Sequence, residues 1–225
     1  MGPPLQHVCG IAIGYCEARA VIIRRDATTN VIGQPSLVAS ESGARSTPCA
    51  VALGGTGECV VGDAALSQAA KNPAATVPRA LSCLPRSEDD EAALKARLTT
   101  HGAGKVAIDG ATLQLTKTVW DEDGDETEVT ASLSGADVVS KILGELRCRI
   151  ADFLGADAKE VLCCVLAAPA DILGDAVSKK ALLDAAAQAG LRVLQVVDEG
   201  DSVASFAAQD DQECDSVVVV DVGGT

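Results

Sequence analysis

The second part of the chain alternates helix and strand signals, and that alternation constrains the fold more than any other feature. From Ser134 the apolar residues change to a helical period: Val138, Val139, Ile142, Leu143, Leu146 and Ile150 fall on one face. Ser134 and Asp137 form a capping-box-like start, and Gly155 ends the helix. Val161 to Leu166 reads as a strand, Asp175 to Ala189 as an Ala-rich helix closed by Gly190, and Leu191 to Val197 as a further strand. A short helix over Ser202 to Gln209 and a last strand over Ser216 to Asp221 complete the series. Strands separated by helices imply a parallel sheet with crossover connections. The four valines Val217 to Val220 read as a strand buried on both faces.

The first part reads differently. Val8 to Ile13 and Ala18 to Ile23 flank Gly14-Tyr15-Cys16-Glu17 as a hairpin. Val31 to Ser40 and Pro48 to Leu53 suggest further strands, with a turn at Gly54 to Gly57. Asp63 to Lys71 is a helix candidate stopped at Pro73, and Glu91 to Leu98 another within the charged stretch 85–105. Leu113 to Trp120 and Thr127 to Leu133 flank an acidic run with the hairpin dipeptide Asp123-Gly124. That run is not an EF-hand: counted from Asp121, glycine falls fourth instead of sixth, and the twelfth residue is Ser132 instead of Glu.

Composition excludes several classes of function. A net charge of −14 argues against direct nucleic-acid binding, which needs clustered Lys and Arg. Nine cysteines without a CxxC spacing, and only two histidines, argue against a disulfide framework or a zinc site and for a reducing, cytoplasmic compartment. The first residues lack the pattern of a signal peptide, and no apolar run reaches the ~20 residues of a membrane span. The hydrophobic fraction of 48%, rich in Ala and Val with 2% aromatics, suits closely packed α/β layers.

Neither GxxxxGK[ST] nor GxGxxG is present. What remains is a set of glycines and acids at strand ends: Gly10 and Gly14 in the first hairpin, Glu199, and Asp221, Gly223, Gly224 and Thr225 at the end. Glycine loops after strands offer backbone N–H groups to phosphate. Because the chain ends within such a motif, the sequence predicts a fragment cut in mid-fold.

The order of these pieces resembles the nucleotide-binding domain of the seventy-kilodalton heat-shock chaperones of the DnaK type, within the actin-like ATPases. Gly10 to Cys16 stands where that family has Gly-Ile-Asp-Leu-Gly-Thr-Thr, and Ser46-Thr47-Pro48 is similar to its Thr-Thr-Pro-Ser. Val61 to Ala65, Lys71-Asn72-Pro73 and Thr76-Val77 resemble Ile-Gly-Asp-Ala-Ala…Asn-Pro-x-Asn-Thr-Val. Ala168-Pro169-Ala170, Ala189 to Leu194, Val197 to Gly200 and Asp221 to Thr225 resemble Val-Pro-Ala, Ala-Gly-Leu-Asn-Val-Leu, Ile-Asn-Glu-Pro and Asp-Leu-Gly-Gly-Gly-Thr.

The resemblance implies an α/β fold of ribonuclease H-like, actin-like ATPase type. This chain would be lobe I, a mixed sheet flanked by helices with a smaller β-rich subdomain. The core subdomain would take about residues 8–40 and 131–225, the smaller one about 41–130, and the second lobe would be absent. It implies a nucleotide or phosphate site at Gly10, Gly14, Tyr15, Cys16, Glu199, Asp221, Gly223, Gly224 and Thr225, and an interdomain relay at Pro169. Departures from the family are concentrated at that site. The metal-holding acid is Ala12, the two phosphate-contacting threonines are Tyr15 and Cys16, and the lysine is Leu66. No histidine stands near Cys16 in sequence to activate it as a nucleophile. Losing one preorganised donor lowers turnover by roughly 10²–10³.

This loss is most similar to the Ssz-type subunit of the ribosome-associated complex. It implies a degenerate chaperone domain that binds ATP or ADP, with magnesium only alongside nucleotide, without efficient hydrolysis. The same resemblance implies a J-domain co-chaperone and the ribosome as partners in nascent-chain folding, and weak or absent nucleotide binding by this fragment alone. Two other classes fit the same residues: an active ATP-hydrolysing chaperone or actin-like small-molecule kinase, and an interaction scaffold that binds no nucleotide.

Overall fold

A computed structural model describes residues 7–24, 26, 29, 31–40, 42–120, 125–155, 162–210 and 218–220. The hairpin read at the start is present as β1 (His7–Ile13) and β2 (Glu17–Arg24), paired antiparallel. Short strands β3 (Ser36–Leu37) and β4 (Thr47–Pro48) both pair with β2. Next come β5 (Val51–Leu53), β6 (Cys59–Val61), helix α1 (Asp63–Leu66) and β7 (Thr76–Val77). A 3-10 helix (Ala80–Cys83) leads to α2 (Glu91–Thr100), and β8 (Ala107–Asp109), β9 (Thr112–Trp120) and β10 (Glu126–Ser134) form a meander. The alternating half comprises α3 (Gly135–Leu154), β11 (Leu162–Ala168), α4 (Ala170–Gly174), α5 (Ala176–Gln188), β12 (Leu191–Asp198) and α6 (Glu199–Asp210).

The main sheet runs β12-β11-β1-β2-β3, with β4 beside β2; β5-β6-β7 and β8-β9-β10 are two small antiparallel sheets. Strands β1, β11 and β12 are parallel, so their C-terminal ends share one edge. The sheet has a buried face, with Cys9, Ile11, Ile13, Leu162, Cys164 and Leu166 at 0–2% exposure, and a half-covered face with Gly10, Ala12, Cys163, Val165 and Ala167. This period of two places every second residue of adjacent strands under α3 and α5, which pack against each other. Helix α3 begins with the expected box: Ser134 Oγ accepts from the Asp137 N–H and Asp137 Oδ2 accepts from the Ser134 N–H. It stops at Gly155, whose φ of 66° is left-handed.

Several expectations need correction. The strand read over Val31 to Ser40 is reduced to Ser36–Leu37, with Val31 and Ile32 exposed, because Pro35 lacks an N–H to extend the ladder. The run Pro48 to Leu53 divides between two sheets. The helix read over Asp63 to Lys71 ends at Leu66 and continues as three-residue turns; Ala65 is its one buried residue, so no apolar face holds a longer helix. Helix α6 begins at Glu199, three residues earlier than read, since Asp198 Oδ1 accepts from the Asp201 N–H and caps it. Of the strand read over Ser216 to Asp221, Val218 to Val220 are described; they pair with no strand among the described residues, and Val218 and Val220 are 85% and 79% exposed. Burying such a run requires a layer on each face, and Val219 and Val220 border an open cleft instead. The turn at Asp123-Gly124 lies outside the described residues.

Candidate functional site

The shared edge where β1, β11 and β12 end opens into a cleft of about 830 Å³. Ligands in α/β sheets bind at such C-terminal strand edges. Three elements converge there: the loop Gly14 to Cys16 after β1, the junction of β11 with α4 at Pro169, and the first turn of α6 at Glu199. Ala12 and Ala167 form its floor, side by side in register on the half-covered face of the sheet.

The loop is closed by its own backbone, the Gly14 N–H donating to the Glu17 carbonyl at 3.0 Å. A Cβ added at Gly14 would lie 3.7 Å from Glu199 Oε1, so the first loop and the start of α6 meet. Tyr15 dominates the mouth. The residue is 9% exposed, and its ring stacks on His101, with centroids 5.5 Å apart and planes 10° from parallel. Its hydroxyl donates to Asp171 Oδ2 at 2.5 Å and accepts from Arg86 Nη2 at 2.9 Å, while Arg86 Nη2 also donates to Asp171 Oδ2 at 2.7 Å. Arg79 Nη1 lies 3.2 Å from His101 Nδ1. This latch ties the β1–β2 loop to α4, two residues beyond Pro169.

The electrostatics follow from that geometry. Burial, then the hydrogen bond to Asp171, pushes the Tyr15 phenol up to about 12. Burial opposes the Asp171 carboxylate, but the bonds from Tyr15 and Arg86 outweigh it and hold the carboxyl below its ordinary 3.8. Burial, and then the cations Arg79, Arg97 and Arg86, hold His101 below 6.5.

The expected site residues do not all converge. Gly14, Tyr15, Cys16, Glu199 and Pro169 line the cleft, as does the replaced position Ala12. Gly10 does not: it lies within β1, and a Cβ there would come 2.9 Å from Val21 Cγ2, which gives it a packing duty. Leu66, at the end of α1 and 45% exposed, is outside the lining. Asp221, Gly223, Gly224 and Thr225 lie outside the described residues. Arg86, Asp171, His101 and Arg79 were not singled out by sequence. Asp171 carried a usable signal, an acid just past the end of an apolar strand; the others sit in stretches without periodicity.

The comparison with known families bears on this edge. The family described as Hsp70 protein matches residues 8–225. The chain belongs to the Hsp70 family. Membership, together with a mixed sheet flanked by helices and small antiparallel sheets, identifies an actin-like ATPase lobe of chaperone type. Hsp70 proteins as a family bind nucleotide with magnesium and work with J-domain co-chaperones. No helix among the described residues is long and apolar enough to cross a membrane.

The described residues do not fit a magnesium-bound triphosphate. The Gly14 N–H is spent on Glu17, and Ala12 presents a methyl group to the cleft. The cleft's cations are already engaged: Arg19 pairs with Glu17 at 2.9 Å and Arg86 with Asp171. With Glu199 the described lining holds three carboxylates, Glu17, Asp171 and Glu199, against two guanidiniums, Arg19 and Arg86. Among the described residues the lining is net negative and both guanidiniums are already paired, which gives a phosphate chain little charge complement there. Among the described residues, no group of three His, Cys, Asp or Glu side chains is placed to hold a metal ion.

Proposed function

We propose that this chain is part of an atypical Hsp70 chaperone that does not turn ATP over efficiently and acts through its partners. The observation that carries this reading is Tyr15. Where the family presents a small hydroxyl to phosphate, this chain presents a ring held by Asp171, Arg86 and His101. Phosphoryl transfer depends on positioned cations and metal, and the replacements Ala12, Tyr15, Cys16 and Leu66 remove the groups that would supply them. The latch instead fixes the loop to the start of α4 beside Pro169, a rigid surface for a partner that needs no nucleotide cycle.

The same replacements support kinship with the Ssz-type subunit, hence a J-domain co-chaperone and nascent-chain folding at the ribosome as the setting. Any ATP or ADP held by the longer protein would depend on Glu199 and on the Asp221, Gly223, Gly224 and Thr225 loop.

ATP turnover by a longer protein carrying the second lobe is the deciding measurement, with roughly 10²-fold less hydrolysis expected than for an active Hsp70. Turnover at the active level overturns the reading. Calorimetric titration with ATP separates a binding, non-hydrolysing domain from a nucleotide-free scaffold. The combined variant Ala12→Asp, Tyr15→Thr, Cys16→Thr and Leu66→Lys is expected to gain hydrolysis.

A further inference from the structure

Two cysteines meet at the mouth of the cleft. Strand β2 pairs with β4 so that Glu17 faces Pro48 and Ala18 faces Thr47. One further step along this register sets Cys16 opposite Cys49, and the Cys49 N–H donates to the Cys16 carbonyl at 2.8 Å. Residues opposite each other across an antiparallel pair have Cα atoms about 4.5–5.5 Å apart and side chains on one side of the ladder. Disulfides span Cα separations of about 4.4–6.8 Å. Neither residue is in a disulfide. After burial, Cys16 is the next-largest influence that pushes the Cys49 thiol up.

The two thiols differ in access. Cys16 is exposed and lines the cleft, whereas Cys49 is fully buried. An accessible thiol beside a sheltered one is the arrangement of an attacking and a resolving cysteine. Cys9 and Cys164 are the internal contrast. They are neighbours in the β1–β11 register, but both have 0% exposure, so no reagent reaches either.

We propose that Cys16 and Cys49 form a reversible intramolecular disulfide by exchange with a low-molecular-weight disulfide of the glutathione class. The Cys16 thiolate attacks one sulfur of the reagent, forming a mixed disulfide and releasing one thiolate. Cys49 then gives up its proton to solvent and attacks Cys16 Sγ, releasing the second thiolate. The two protein thiols are oxidised and the reagent is reduced to two thiols, so electrons and protons balance. Burial pushes the Cys49 thiol up, which makes the second step the slow one. The bond joins the loop carrying Tyr15 to the residues that lead into β5, clamping the cleft mouth in its latched form. This inference stands independently of the loss of ATP turnover.

The test incubates the reduced full chain with glutathione disulfide, quenches with acid, alkylates remaining thiols under denaturing conditions and maps the unreduced peptides. The expected product is two hydrogens lighter than the reduced chain and carries a Cys16–Cys49 linked peptide. Cys16→Ser, an exposed change, is expected to abolish that product. Cys49→Ala is expected to retain a glutathione adduct on Cys16, and Cys9→Ala to leave the wild-type result unchanged. If the Cys49 variant fails to fold, the wild-type map and the Cys16 variant still decide. A lasting glutathione adduct on Cys16 of the wild type, a bridge between other cysteines, or no reaction at all overturns the proposal.

Discussion

Two arginine–carboxylate networks flank the stretch after the 3-10 helix, and they differ in closure. Arg97 grips Asp89 with two parallel bonds of 2.6 and 2.7 Å, and donates further to the carbonyls of Ser82 and Leu84 at 2.8 and 2.9 Å. Its side chain and that of Asp89 are 12% and 15% exposed. Arg86 meets Asp171 and Tyr15 through one nitrogen, at 31% and 46% exposure for the ion pair, and its buried Nε has no partner among the described residues. The first network is a sealed joint between the 3-10 helix and α2. The second borders the cleft and sets its shape. A planar guanidinium matched on every edge is a stability device, whereas one shared with solvent contributes little to folding.

The largest effect expected from this contrast is on folding. Arg97→Ala strands the part-buried Asp89 carboxylate, which keeps only the Arg86 N–H, and is expected to cost about 2 kcal/mol. Arg86→Ala, in the half-exposed pair, is expected to cost less than about 1 kcal/mol. Urea denaturation of both variants checks the order, and equal losses would erase the distinction between the two networks.

Next in size is Gly135→Ala. A Cβ at Gly135 would lie 1.9 Å from the Cys83 carbonyl oxygen, a backbone atom that cannot swing aside. The expected loss is about 2 kcal/mol. Because Cys83 lies between the two carbonyls that Arg97 holds, displacing it weakens the sealed joint too. Combining Gly135→Ala with Arg97→Ala is therefore expected to cost less than the sum of the single changes, whereas Gly135→Ala with Arg86→Ala is expected to be additive. Denaturation midpoints of the two double variants read the difference.

The contrast also explains what the sequence could disclose. The parallel half was legible because apolar period and end signals agreed: the 3.6-residue stripe of α3, the Ser134–Asp137 box, and Gly155 and Gly190, both at positive φ. The small sheets were less legible, since β6, β7 and β8 are two or three residues long and too short to show alternation. At the cleft, Gly14 and Glu199, read as phosphate-site residues, and Pro169, read as a relay, line one cavity. The latch was invisible because Tyr15, Arg86 and Asp171 are 71 and 85 residues apart along the chain and are joined only by folding. A tyrosine in a phosphate loop reads as a substitution; its function as the centre of a network appears only in three dimensions.

A smaller effect sharpens the cleft side. Tyr15 is the single tyrosine of the chain, so an absorbance titration reads it alone. Asp171→Asn removes the charge that helps hold the phenol at about 12. Its midpoint is expected to fall toward the ordinary 10, with a stability loss below about 1 kcal/mol. An unchanged midpoint would mean that burial alone raises Tyr15 and that the hydrogen bond to Asp171 is idle.

The smallest effect is the pH response of His101, which touches both networks through Tyr15 and the surrounding cations. Burial and the charges of Arg79, Arg97 and Arg86 disfavour its protonated form in the folded chain, so its folded pKa lies below the 6.5 of the unfolded one. Protonation therefore favours unfolding. The contribution is complete above pH 6.5 and is lost as pH falls from there through the lowered folded value. The depressed carboxyls of Asp89 and Asp171 act in the same direction, but only below their ordinary 3.8, so the two windows separate. Urea denaturation between pH 7.5 and 5 is expected to show a small decline in stability for the natural chain. His101→Phe keeps a ring to stack on Tyr15 and removes the titration, and its curve is expected to decline less over the same range. Parallel curves would show that the cations around His101 are too well screened to bear on its proton, and that the stack with Tyr15 is a packing contact alone.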